Sequence, residues 1–281
     1  MGQLMYQCVC PALVITALAA AETPLAFEAA SVKRHNDPNS RNVAFQILPS
    51  GRVHMVNLPL YIIVSMAYDL PFQSVTERLS GGPQWVKAET YDIEATAGTL
   101  PPDMTSAARV HRMKLMLRTL LADRFHLEVR KSAKEMPVYT LTVAKNGPKL
   151  TPAKIAESDC LTASINPPCH EINGGIGRGL HGKAVTVSDI AYYAQNWSDR
   201  PLLDRTQLSG LYEVDTEGGV PMQARPPAAD GAPPSAEALA MADPARPTLF
   251  LIMDRPGLKM GPSKGSIDVW VIEHVERPNE N

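Results

Sequence analysis

The chain is short of the features that usually declare a function. Four cysteines occur in 281 residues, aromatic side chains make up 6%, and 27 basic side chains stand against 29 acidic ones for a net charge of −2. Charge this evenly balanced favours neither nucleic acid nor an anionic membrane surface as a partner, and neither is expected. Gly261-Pro262-Ser263-Lys264-Gly265 and Gly177-Arg178-Gly179-Leu180-His181-Gly182 match a nucleophile elbow and a dinucleotide fingerprint in letters only, since no helix opens right after either. No His-Glu-x-x-His pair is present, so the common hydrolase, nucleotide-binding and zinc-peptidase signatures are not met. The glycine-rich stretch Gly174-Gly175-Ile176-Gly177-Arg178-Gly179 follows a Pro/Asn/Gly-rich connector rather than a strand and reads as a turn. No cofactor is therefore expected. After residue 21 no apolar run approaches the roughly 20 residues that a membrane-spanning helix requires.

What is present begins with a leader. Residues 1–21 carry no charged side chain, and 9–21 are apolar or small apart from Cys10, Pro11 and Thr16. Ala19-Ala20-Ala21 supplies the small-x-small pattern of a cleavage site, with Glu22 next. This is the pattern of a secretory signal peptide, and it places the mature protein in the periplasm or outside the cell. Retention as an N-terminal anchor is the alternative, with an apolar run shorter than the roughly 20 residues of a comfortable span. Cysteine usage agrees with export: Cys8 and Cys10 leave with the leader, while Cys160 and Cys169 remain in the connector. In an oxidising compartment such an isolated pair is expected as a disulfide, which stabilises the connector by about 2–3 kcal/mol. A metal site from Cys160, Cys169, His170 and His181 is the sharper alternative. The pair spacing is too wide for a zinc knuckle and no second close pair exists, so no metal is expected.

The body of the chain reads twice. Arg52-Val53-His54, an apolar run from Leu58 to Leu70, Ser80-Gly81-Gly82 and Tyr91-Asp92-Ile93-Glu94 are echoed by Gly179-Leu180-His181, a run from Val185 to Trp197, Leu208-Ser209-Gly210 and Tyr212-Glu213-Val214-Asp215. A spacing of about 130 residues separates the copies, and self-similarity at a fixed period sets architecture before any residue chemistry is considered. The expectation is an α+β fold of two tandem pseudo-repeats, each a mixed or antiparallel sheet with two helices packed on one face. The boundaries fall at 22–150 for the first repeat, 151–178 for a Pro/Gly/Cys connector, and 179–281 for the second repeat. The second repeat carries a flexible Ala/Pro-rich insertion at 218–247.

Within the first copy, Val43 to Ile47 and Arg52 to Val56 read as a hairpin around Pro49-Ser50-Gly51. Leu60, Ile63, Ala67 and Leu70 recur at helical spacing. Trp85 to Ala95 reads as a strand. Met113, Leu117, Leu120 and Leu121 stripe a second helix whose Arg109, Arg112, Lys114 and Arg118 face water. Leu127 to Arg130 and Val138 to Ala144 suggest a closing hairpin. In the second copy Thr186 and Asp189 form a capping box at the first helix. Thr248 to Met253 is a short helix that Pro256 ends early, and Leu258 to Gly261 with Asp268 to His274 suggest the last hairpin.

Several strings resemble a known family. They are Ser80-Gly81-Gly82-Pro83-x-Trp85, Tyr91-Asp92-Ile93-Glu94-Ala95, Leu120 to Leu127, Glu135-Met136-Pro137-Val138-Tyr139, Gly147-Pro148-Lys149-Leu150, Asp204-Arg205-Thr206-x-Leu208-x-Gly210-x-Tyr212 and the tail from Val271 to Asn281. Together they are similar to a soil-associated, Acidobacteria-rich family of exported proteins of unknown function. Related domains occur fused to antirepressor-type membrane metallopeptidases, so the resemblance implies an extracytoplasmic sensor or binding role and assigns no activity.

Candidate ligand-binding residues are His54, Trp85, Tyr91, His181, Trp197 and Tyr212. The two histidines stand at equivalent places, just before the first helix of each copy, and the aromatics gather around that helix and the strand after it. A groove would be lined by whichever aromatics are exposed. Asp123-Arg124, Asp204-Arg205 and Asp254-Arg255 are better read as caps and local ion pairs at helix ends and turns. No catalytic residue is assigned. The expected function is a non-enzymatic extracytoplasmic binding or sensory module for an unknown protein or small-molecule ligand of the cell envelope. The alternative is an extracytoplasmic hydrolase with its site in the cleft between the repeats.

Overall fold

The computed structural model describes residues 25–37, 39–48, 50–71, 75–161, 169–175, 177–219, 222 and 247–278. The leader 1–21 and most of the 218–247 segment lie outside them.

The front half opens with β1 (Ala29–Arg34), β2 (Ala44–Leu48) and β3 (Arg52–Pro59). Gly51, at φ 87°, closes the β2–β3 hairpin by donating its N–H to the Leu48 carbonyl, a backbone conformation that glycine adopts without steric cost. Then follow α1 (Leu60–Ala67), the single turn α2 (Val75–Arg78), β4 (Leu79–Gly81), the single turn α3 (Trp85–Ala88), β5 (Thr90–Thr96), α4 (Ser106–Phe125) and β6 (Glu128–Val143). The back half contains β7 (Thr151–Pro152), β8 (Asn173–Gly175), β9 (Gly179–Val185), α5 (Val187–Ala194), β10 (Leu202–Asp204), β11 (Tyr212–Asp215), α6 (Leu249–Asp254) and β12 (Leu258–His274). The architecture is mixed α+β.

Three sheets result, not the two that the sequence suggests. One has the order β1-β5-β3-β2 and another β7-β11-β9-β8, both antiparallel. The third, β10-β6-β12-β4, joins the halves. Its centre is the antiparallel pair β6 and β12, in register from Leu258 opposite Val143 to Ile272 opposite Val129, with a shift before His274 opposite Glu128. Each long strand takes a short parallel neighbour from the opposite half: β4 beside β12, β10 beside β6.

The two closing hairpins expected from sequence are thus single long strands that pair with each other. Pro137 and the Pro262-Ser263-Lys264-Gly265 run mimic turn signals. The register explains why they do not break the ladder. Tyr139 donates its N–H to the Pro201 carbonyl, away from β12, and stands opposite Pro262. That pair is therefore of the non-hydrogen-bonded kind, where neither residue donates to the other strand. Pro137, opposite Lys264, falls in the same phase. A missing N–H at either proline costs the β6–β12 ladder nothing.

Each half has its own core. Val53, Met55, Ile63, Ile93, Leu117, Leu121 and Phe125 are among the front core residues; Leu180, Ile190, Trp197, Leu249 and Ile252 are among the back ones. The long strands cross between them, β12 giving Ile272 to the front core and β6 giving Tyr139 and Leu141 to the back. Helix α4 starts at Thr105, whose hydroxyl accepts the Ala108 N–H, and ends at His126 in the left-handed region. The cations on α4 do not simply face water. Arg118 donates to the Ala67 carbonyl at 2.7 Å and stacks on Tyr68, and Lys114 pairs with Asp69. They meet the C-terminal end of α1, where the helix dipole favours positive charge. On α5 the Thr186–Asp189 capping box forms as expected.

Candidate functional site

The six sequence-predicted residues do not gather into one site. Trp85 begins α3 rather than lying in a strand. A chain of contacts through Arg277 and Glu89 links it to Tyr91. Arg277 stacks on the Trp85 ring at 4.9 Å and donates to both oxygens of Glu89, while the Tyr91 hydroxyl donates to Glu89 Oε2 at 3.1 Å. Tyr91 is otherwise buried, edge-on to Phe125. The Arg277 hydrogen bonds hold the Glu89 carboxyl below its ordinary pKa, and desolvation, then Glu89 itself, pushes Tyr91 up to about 12. Trp197 is enclosed in the back core. Tyr212 is half-buried and donates to the Ser209 carbonyl.

His54 and His181 occupy separate sheets but play the same local part. Each faces a carboxylate directly across the ladder, His54 opposite Glu94 and His181 opposite Asp215. Such pairs are cross-strand stabilisers of a few tenths of a kcal/mol, roughly 0.2–1. His181 also borders a cavity of about 290 Å³ with Glu171, Asn173, Lys183 and Asp215.

A more strongly constructed pocket went unread in the sequence. His35 Nδ1 bonds both oxygens of Asp92 at 2.9 and 3.0 Å, and Asp92 Oδ1 also accepts the Asn57 N–H at 2.8 Å. Asn57 holds a left-handed φ of 54° and sends its side chain to the Ser40 carbonyl. His35 Nε2 is buried and meets no hydrogen-bond partner among the described residues. His35 lines a cavity of about 420 Å³ with Arg34, Asp37, Ser40, Asn57 and Glu89. The two contacts to one carboxylate fix the direction of the ring, with Nε2 turned away from Asp92. His35 and Asp92 lie 57 residues apart, and only the β1–β5 register brings them together.

A third feature is an edge. β2 ends its sheet and carries Val43, Phe45 and Leu48 on or beside it at 61%, 40% and 39% exposure. Those are three of the five exposed large hydrophobics among the described residues. Phe45 stands opposite Met55 and Ile47 opposite Val53, so the face that feeds the core continues outward past its last strand.

Residues 62–275 match the family model described as a protein of unknown function, DUF3738. The chain belongs to that family. No curated protein and no solved structure matches it. The DUF3738 match begins within α1, so β2, His35, His54 and Asn57 all precede the matched span. No described helix is long and apolar enough to cross a membrane.

Inside the DUF3738 span lies the connector. Cys160 and Cys169 form the expected disulfide, with Cα atoms 5.6 Å apart. Next to it His170 is held at both ring nitrogens, Nδ1 by Asp189 at 2.7 Å and Nε2 by Glu157 at 2.8 Å. Burial opposes its charge, but those hydrogen bonds prevail and its pKa is raised above 6.5. Donor atoms of Glu157, Cys160 and His170 lie within 4.8 Å of one another.

Proposed function

We propose that the protein is an exported, non-enzymatic binding or sensory module that takes an extended, uncharged, apolar segment of a partner protein along β2. The observation that carries this reading is the edge itself. Natural edge strands are blunted by lysine, proline or a bulge. Residues 44–48 are Ala-Phe-Gln-Ile-Leu, with no charge and no proline, and pair with β3 without a register shift. An added strand gains main-chain hydrogen bonds from the open edge and side-chain specificity from alternate positions. A displayed library of nine-residue peptides, selected on the mature chain, should yield an alternating apolar consensus. Hydrogen exchange of the complex should then show protection at residues 44–48. A consensus rich in charge, or protection confined to another sheet, rejects the reading.

Export is supported by the uncharged leader 1–21 and by the Cys160–Cys169 disulfide. N-terminal sequencing of the protein from an envelope fraction should begin at Glu22. The resemblance to exported relatives whose domains accompany membrane metallopeptidases fits a sensory partner role. Descent of the two halves from a duplication is supported by the shared sequence of strand, helix, strand, strand, helix and long strand in each. Superposition of β3-α1-β5-α4 on β9-α5-β11-α6 tests it, and an overlay that fails at the strands discards it.

A second reading is favoured by one observation, the buried His35 Nε2 that meets no partner among the described residues. In an extracytoplasmic hydrolase the Asp92–His35 pair would serve as base and Ser40, on the same cavity, as the hydroxyl it activates. This places the site within the front half, not between the halves. A fluorophosphonate probe should then label Ser40 in the wild type and leave His35→Gln unlabelled; an unlabelled wild type removes the hydrolase.

A further inference from the structure

We infer that the disulfide corner is a redox-controlled metal site: once the Cys160–Cys169 bond is reduced, the two sulfurs, His170 Nε2 and the Glu157 carboxylate take up one Zn²⁺. Sequence spacing argues against zinc because the cysteine pair is too wide for a knuckle and lacks a second close pair, and the ligand set it offers includes His181. In the fold His181 is engaged elsewhere, by Asp215 and the Arg178 carbonyl. Glu157 stands in its place.

Three observations support the site. The first is distance. The Glu157, Cys160 and His170 donors already lie within 4.8 Å of one another, and Cys169 Sγ is bonded to Cys160 Sγ. Tetrahedral zinc, with bonds of about 2.0–2.3 Å, spaces its ligands by roughly 3.3–3.8 Å, so small side-chain adjustments close the shell. The second is donor chemistry. Two thiolates with an imidazole and a carboxylate suit Zn²⁺ and are a poor match for Mg²⁺ or Ca²⁺, which take oxygen ligands.

The third is the surroundings of His170. Its Nδ1 donates to Asp189 Oδ2, and the same oxygen accepts the Thr186 N–H at 2.8 Å and the Thr186 hydroxyl at 2.7 Å. The capping box of α5 thus pins the carboxylate that orients the ring. A carboxylate behind the far nitrogen is what fixes the tautomer and direction of metal-binding histidines. It leaves Nε2 aimed at Glu157, which is exposed and able to move.

The chemistry balances with a dithiol as reductant. The Sγ–Sγ bond breaks and accepts two electrons and two protons from the dithiol, which closes to its own disulfide. Zn²⁺ then displaces both thiol protons, and an imidazolium at His170 gives up its Nε2 proton. Disulfide and metal are mutually exclusive states of one corner. An oxidant that rebuilds the Cys160–Cys169 bond expels the ion.

The test uses Co²⁺ as a spectroscopic substitute on the mature chain, reduced with a phosphine and kept anaerobic. The reduced wild type should bind one equivalent with thiolate-to-cobalt charge-transfer bands and tetrahedral d–d bands, and Zn²⁺ should displace it. The oxidised chain should give neither band. Cys160→Ser should abolish the charge-transfer signature of a two-thiolate site. Glu157→Gln, an exposed position that leaves folding intact, should weaken binding at least tenfold, and Asp189→Asn about 10–100-fold. Circular dichroism on the same samples reports the fold, and a reduced chain whose lost signal returns on adding Co²⁺ also supports the site. A reduced wild type without bands, folded or not, overturns the proposal. So does a band indifferent to Glu157→Gln and His170→Ala.

Discussion

The front half roofs its sheet with a 20-residue helix, while the back half uses one of six residues. Both helices deliver the chain into a long central strand through a residue at positive φ, His126 at 47° in front and Gly257 at 74° behind. The exits differ in their surroundings. His126 is exposed. Gly257 is packed so closely that an added Cβ would meet the Gly147 carbonyl oxygen at 2.5 Å and Lys149 N at 2.7 Å. Pro256 stops α6 short, and the back half recovers order by other means. Phe250 packs edge-on against Tyr139 from the front half, and the disulfide staples the connector. A long helix can be replaced by borrowed aromatic surface and a covalent loop, provided the exit into the strand is held fixed.

Four measurements would break or sharpen this contrast. Phe125, fully buried and edge-on to Tyr91, anchors the end of α4. Phe125→Ala should lower stability by about 3–5 kcal/mol in urea unfolding, with front-sheet amides exchanging before those of β9 and β11. If the back sheet opened first, the long helix would not be the front half's anchor. Next comes the exit residue. Gly257→Ala should cost about 3 kcal/mol, combining a left-handed backbone with a clash against fixed backbone atoms, whereas His126→Gly should be neutral or slightly stabilising. Equal effects at the two exits would end the argument that only the back one is crowded.

Removing the staple should matter less. Cys160→Ser should cost about 2–3 kcal/mol through the denatured chain and speed exchange in the back half alone. Smallest is a pH effect confined to the front. Glu89 has its pKa lowered by Arg277, so its contribution is present above its ordinary value of 4.5 and is lost as pH falls through the depressed one. Melting temperature should drop between pH 6 and pH 3 by more in the wild type than in Arg277→Gln. Parallel curves would show that the Arg277–Glu89 pair adds nothing to folding.

Much of the fold could be read from residues because the signals were local. The α4 stripe, the Thr186–Asp189 box, the early stop at Pro256 and the cysteine pair each lie within a short window, and each is found in place. The long strands escaped because Pro137 and Pro262 look like turns until the phase of the ladder is known. Trp85 reads as part of a strand because its alternation with later residues continues into β5, while Pro83 and Gln84 in fact start a helical turn. The His35–Asp92 pair had no local signature at all. Its members were visible only as a polar turn and as part of an alternating strand.

The exchange of short strands across the central sheet has a consequence for how the chain matures. β4 is made early, yet its only strand neighbour among the described residues is β12, which is synthesised far later. Ile272 likewise closes a core otherwise assembled from the front of the chain. The N-terminal part therefore leaves the ribosome with an open flank that nothing behind it can seal until the final strand arrives. Long-range closure of this kind slows folding, and it makes completion of the front core wait on a strand from the opposite half.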